Sequence, residues 1–145
     1  MINESKATVR VSRHFEASPE RIFDAWLDPE KAARFLFKTP TGEMQRVEID
    51  PCVGGTYCIV ERRNGVDAAH TGKYLEVERP TRLVFTLEDT VGFQDTVVTI
   101  EIVPVDSGCE LTLTHEGVLQ EYKDKVQDGW TMIVSSLADV ITTGV

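Results

Sequence analysis

The last quarter of the chain carries an apolar stripe of Leu119, Tyr122, Val126, Trp130, Ile133, Leu137 and Ile141, at steps of three or four residues. That spacing is one face of an α-helix. The stripe predicts a single helix from about Leu119 to Thr143, and about 25 residues at ~1.5 Å each make it roughly 37 Å long. A helix of that length outruns a typical strand and needs a broad apolar surface to lie on. The rest of the chain therefore has to supply a large sheet.

Upstream, the pattern is that of strands. Thr8 to Ala17 alternates, with Val9, Val11, Arg13 and Phe15 on one face and Arg10, Ser12, His14 and Glu16 on the other. Ser18-Pro19-Glu20 then opens a helix with a capping hydroxyl, a proline at the first helical position and an acid at the positive end of the dipole. Ile22, Phe23, Trp26 and Leu27 follow at helical spacing, and Asp28-Pro29-Glu30 repeats the signal. Two short helices are expected, near Pro19–Leu27 and Pro29–Arg34. From Glu43 to Gly117 the sequence reads as an antiparallel meander, with turns at Gly54-Gly55, at Asn64-Gly65 (a strong hairpin signal), at Arg79-Pro80-Thr81 and at Asp106-Ser107-Gly108. Its strands fall at about Thr56–Arg63, Ala69–Glu78, Arg82–Glu88, Thr96–Val103 and Glu110–His115, after a first one near Glu43. The fold class is α+β, a curved seven-stranded antiparallel sheet around a long C-terminal helix, with two short helices after the first strand.

Several local motifs stand out along the chain. They are Ala17-Ser18-Pro19-Glu20-Arg21-Ile22-Phe23-Asp24-Ala25-Trp26 with Asp28-Pro29, Asp50 with Gly54-Gly55, and Gly72-Lys73-Tyr74-Leu75-Glu76-Val77. Arg79-Pro80-Thr81-Arg82-Leu83-Val84-Phe85-Thr86, Leu111-Thr112-Leu113-Thr114-His115 and Gly129-Trp130 complete them. Together these motifs resemble the Hsp90-ATPase-activator-homologue family, within the Bet v 1-like (START-like, SRPBCC) superfamily of helix-grip proteins, and the resemblance spans nearly the whole chain. It departs where the family usually carries tryptophan and this chain has Phe35, and where it often carries arginine and this chain has Cys52. What it implies is the helix-grip fold, with a mostly apolar pocket between sheet and helix. Fold carries over between such proteins further than activity does.

The chain has 145 residues, of which 41% are apolar and 27% charged. That length suits a single domain, 1–145, and the composition excludes disordered and membrane classes. With 24 acidic against 15 basic side chains the formal charge is −9, which repels phosphate backbones and excludes generic nucleic-acid or anionic-membrane partners. Cys52, Cys58 and Cys109 form neither a closed disulfide set nor a paired zinc pattern. Reduced thiols, with no apolar run at Met1–Arg10, point to the cytoplasm. Asn3-Glu4-Ser5 matches a glycosylation acceptor, which has no meaning without secretion. Phosphate-loop and dinucleotide fingerprints are absent, so no cofactor is implied. His14, His70 and His115 lack ligand spacing, so no metal is implied either.

Alternation names the side chains that point into the pocket: Val11, Phe15, Tyr57, Ile59, Tyr74, Phe85, Val98, Ile100 and Leu113 from the strands, Trp130 and Ile133 from the helix. For each the alternative is plain core packing. Arg13, Glu61 and His115 share the inward parity and are polar, and burial demands that such groups pair, bind water or meet a ligand. An Arg13–Glu61 ion pair at the rim is one answer. The other is a polar end to the pocket, with Arg13 for an anionic or carbonyl oxygen and Glu61 and His115 for hydrogen bonds. Three functions follow. The first is a non-catalytic protein that binds a small hydrophobic or amphipathic molecule, as a monomer or a homodimer. The second, which the resemblance implies through other members of the superfamily, is a polyketide-cyclase or dehydratase-like enzyme using Arg13, Glu61 and His115 for acid–base work. The third is a chaperone-cofactor or stress-response module acting through its surface.

Overall fold

The computed structural model describes residues 6–39, 41–89 and 93–143. Its elements run β1 (Lys6–Phe15), α1 (Pro19–Leu27), α2 (Pro29–Phe35), β2 (Glu43–Ile49), β3 (Thr56–Arg63), β4 (Val66–Glu78), β5 (Arg82–Asp89), β6 (Phe93–Val105), β7 (Gly108–Leu119), a short 3₁₀ turn (Gln120–Tyr122) and α3 (Lys123–Thr143). The glycosylation-like triplet Asn3-Glu4-Ser5 lies outside the described residues.

The two short helices form for the local reasons the sequence offers. Ser18 Oγ accepts from Arg21 N at 3.2 Å, and Asp28 Oδ1 accepts from Glu30 N at 2.9 Å. Asp28 also ends α1, because its extended backbone (ψ 115°) is what the following Pro29 requires. The helices are amphipathic, and Ile22, Phe23 and Trp26 are buried on one side of α1. Trp26 meets Phe35 of α2 edge to face, with centroids 5.1 Å apart.

The sheet is antiparallel throughout, in the order β1-β7-β6-β5-β4-β3-β2. Register shifts at Ala7/Thr8, Met44/Arg46, Tyr74/Glu76 and Leu87/Asp89 bend it, as bulges do. The resulting concave face receives α3 and the short helices. Gly72 shows how tightly two strands approach: a β-carbon there would collide with the Thr86 carbonyl oxygen and the Tyr57 ring. Tyr57 Oη donates to that same carbonyl at 2.7 Å.

The helix-grip architecture is thus as the sequence predicts, with several boundaries moved: β4, β6 and β7 are longer than expected, and the long helix starts later. At Leu119, the expected start of the helix, the chain is still in β7, because Leu119 and Val118 pair with Lys6 and Ala7 of β1, and Gln120–Tyr122 form the 3₁₀ turn before α3. The helix proper has 21 residues. Its C-terminal half (Val134, Leu137, Val140, Ile141) is packed into the core. Its N-terminal half does something else.

Candidate functional site: a cavity under the first turns of α3

A cavity of about 290 Å³ lies between the N-terminal half of α3, the loop after α2 and the inner face of the sheet. Helix α3 and the turn before it contribute Tyr122, Lys125, Val126, Gly129, Trp130, Met132 and Ile133; the loop contributes Phe37, Lys38 and Thr39. Arg63, His70, Leu87 and His115 arrive from β3, β4, β5 and β7.

His115 and Trp130 make the floor. Both are buried, and Trp130 Nε1 donates to His115 Nδ1 at 3.0 Å. An indole nitrogen can only donate, so Nδ1 must accept and the neutral imidazole carries its proton on Nε2. Burial holds the imidazole down to a pKa of about 4, so it is neutral at pH 7.

Phe37 forms a side wall. Its backbone is left-handed (φ 58°), an uncommon state for a bulky residue. That turn sends the ring inward, parallel to His70 at 4.2 Å with an interplanar angle of 2°. The same ring lies 6.5 Å from Tyr57 and 5.6 Å from Trp130. Phe37 therefore stands between the cavity and a packed aromatic cluster of Tyr57, Tyr74 and Phe85, whose centroids are 5.6–6.2 Å apart.

Glu61 anchors the loop to the sheet. Its fully buried carboxylate accepts from Thr39 N at 2.6 Å, from Thr39 Oγ1 at 3.2 Å and from Arg63 Nε. Arg63 Nη2 reaches back to the Phe37 carbonyl at 3.1 Å. One carboxylate thus fixes the loop and the arginine at the mouth.

Of the fourteen side chains expected to face the pocket, His115, Trp130 and Ile133 line this cavity. Glu61 lies behind its wall. Phe15, Ile59, Ile100 and Leu113 are buried in the general core, and Tyr57, Tyr74 and Phe85 in the aromatic cluster. Val11 and Val98 are core as well.

Arg13 is the correction. It is exposed, with its guanidinium carbon 5.9 Å from the Phe15 ring centroid. Four strands separate β1 from β3 in the sheet, so the expected Arg13–Glu61 pair does not form and Arg63 takes its place. Since β1 is an edge strand, a long side chain there can carry its charge out to water.

The sequence reading missed Phe37, Lys38, Thr39, Arg63, His70 and Leu87. Phe37, Lys38 and Thr39 belong to a loop that carries no periodicity. Arg63 and Leu87 do share the parity of Glu61 and Phe85, and that signal was there to be used. Among the described residues no three of His, Cys, Asp or Glu gather as metal ligands would. Cys52 donates to Asp50 Oδ1 at 3.4 Å, and that bond pushes its thiol pKa up, away from the thiolate form.

The model of the family described as "Activator of Hsp90 ATPase homolog 1-like protein" matches residues 16–142. The chain belongs to that family. The family is part of the SRPBCC superfamily. Among solved structures, protein CV1439 of Chromobacterium violaceum is 28% identical, with TM-score 0.84 over 92% of this chain and 95% of that one. An AHSA1-like protein of Aeromonas hydrophila is 22% identical, with TM-score 0.84 over 94% and 93%. A protein of unknown function from Staphylococcus aureus is 18% identical, with TM-score 0.87 over 97% and 96%. The latter two likenesses bear on the fold alone. None of the curated proteins matches the chain. The family supports a ligand-binding type of fold in general terms, and among the described residues no helix is long and apolar enough to cross a membrane.

Proposed function

We propose that this protein binds a small amphipathic molecule in the cavity under α3 and does not transform it. The observation that carries the reading is Gly129. A glycine inside a helix costs about 0.5–1 kcal/mol relative to alanine. At Gly129 a β-carbon would meet nothing within 4 Å, so packing does not require the glycine. The residue lines the cavity, and any side chain there would take up its volume. The helix gives up stability where a side chain would take up a ligand's space.

The polar groups favour binding over catalysis. The one lone pair His115 offers as a base is engaged by Trp130. Glu61 is held by Arg63 and Thr39, and Arg13 is far off in the sheet order. All three cysteines are free thiols, which supports a reducing, cytoplasmic setting.

The test is a thermal-shift screen of aromatic acids, fatty acids and phenols on the wild type and on Gly129→Leu. The variant should gain about 1 kcal/mol of intrinsic stability from helix propensity. It should also lose every ligand-dependent shift that the wild type shows. A wild type that no compound stabilises, or a variant that keeps the same shifts, contradicts the proposal.

A further inference from the structure

The cavity has a charge pattern that the chain as a whole does not share. Over the full sequence acidic side chains outnumber basic ones, and the formal charge is −9. Among the residues lining the cavity, Lys38, Arg63 and Lys125 are cationic and none is acidic. Glu61, the carboxylate that holds Arg63, is fully buried and already engaged with Arg63 and Thr39. A cationic concavity in an acidic body draws anions to that one place and disfavours them elsewhere on the surface.

Arg63 is built to present a donor. Its Nε is used by Glu61 and its Nη2 by the Phe37 carbonyl, while Nη1 makes no bond among the described residues. The guanidinium is already fixed in place by those two bonds, so little rotamer freedom remains to be lost when it meets a ligand. Its side chain keeps 37% exposure, enough to be reached from the mouth. Lys125 adds a second cation from the α3 side of the same opening. The rest of the lining is largely aromatic and apolar, with Phe37, Trp130, Val126 and Ile133. The volume, about 290 Å³, lies at the low end of small-ligand sites, which suits one or two fused rings better than a long acyl chain.

We infer that the ligand is a compact aromatic acid, its ring body against Phe37 and Trp130 and its carboxylate on Arg63 and Lys125, with Arg63 selecting for the charge. This rests on the binding reading above and adds to it the ligand's class and the residue that discriminates it. Glu61 acts as a positioning residue for Arg63.

The experiment titrates the protein with matched acid and amide pairs, benzoate with benzamide and 2-naphthoate with 2-naphthamide, by calorimetry at low and at high salt. The wild type should bind 2-naphthoate at least ten times more tightly than 2-naphthamide, and salt should narrow the ratio because the site is partly open to water. Lys125→Glu, a change on an exposed helical position, should weaken the acid several-fold and leave the amide alone. Removing Arg63 by itself would strand a buried carboxylate, so the informative variant is Glu61→Gln with Arg63→Gln. There the acid-to-amide ratio should fall to the few-fold that Lys125 supplies by itself, while the amide affinity holds. Equal binding of acid and amide by the wild type overturns the charge preference and leaves cavity binding standing. A ratio that survives undiminished in the double variant overturns the role of Arg63. Binding of no member of the panel overturns the inference, and the reading beneath it falls with it only if the wider thermal-shift screen also finds no stabilising compound.

Discussion

Lowering the pH from 7.5 to 4.5 should cost the folded protein stability through His115, by an amount the structure sets. The imidazole has a pKa of about 4 when folded, because it is buried against Trp130, and about 6.5 when the chain is unfolded. As the pH falls the unfolded chain takes up the proton first, so this contribution is complete above pH 6.5 and is lost progressively toward pH 4. The full difference is worth about 3 kcal/mol, most of which is gone by pH 4.5. Carboxylates titrate over part of the same range, so the wild type must be compared with a variant that lacks only this group. His115→Asn keeps an acceptor for the Trp130 indole and cannot be protonated. Urea melts of both proteins at half-unit pH steps, with a constant m-value, give the difference directly. The stability advantage of the wild type over His115→Asn should shrink by about 2–3 kcal/mol between pH 7.5 and 4.5. Two curves that run parallel within about 0.5 kcal/mol would show a normally titrating histidine and refute the reasoning.

Trp130→Ala should destabilise by about 3–5 kcal/mol, as other large-to-small core changes do, and urea melts losing under about 1 kcal/mol would put the ring at the surface. Glu61→Ala should cost about 1–3 kcal/mol by unpairing Thr39 N–H and Arg63, whereas Arg13→Ala, at an exposed edge, should stay within about 0.5 kcal/mol. The reverse order in denaturant melts would restore the abandoned Arg13–Glu61 pairing. Gly72→Ala should lose about 1–3 kcal/mol by pressing a methyl group into the Thr86 carbonyl and the Tyr57 ring, and an unchanged melting temperature would contradict that close approach.

The fold was legible because its signals are local and repeat. Ser18-Pro19 and Asp28-Pro29 cap their helices from within a few residues, and alternation along β3, β6 and β7 marks the buried face without reference to any partner. The site was less legible because parity gives a face and not a neighbour. Glu61 was rightly placed inward, but its partner depends on strand order, and β1 is four strands away. Tyr57, Tyr74 and Phe85 share the inward face with His115, yet Phe37 stands between them and the cavity. That separation comes from a single left-handed residue in a loop, and nothing in the spacing of apolar residues announces it. Leu119 looked helical because an apolar residue at the end of a strand also fits the next helix's stripe.

The two tryptophans offer the most direct measurement of whether the cavity is the binding site. Trp130 lines it, while Trp26 is buried between α1 and α2 against Phe35. In ¹H–¹⁵N correlation spectra the two indole N–H signals report on these two places at once, in one protein. Titration with 2-naphthoate should move the Trp130 signal along a saturable curve and leave the Trp26 signal where it is, and Gly129→Leu should abolish the movement. A Trp130 signal that stays fixed, or one that moves only in step with Trp26, would contradict binding in the cavity under α3.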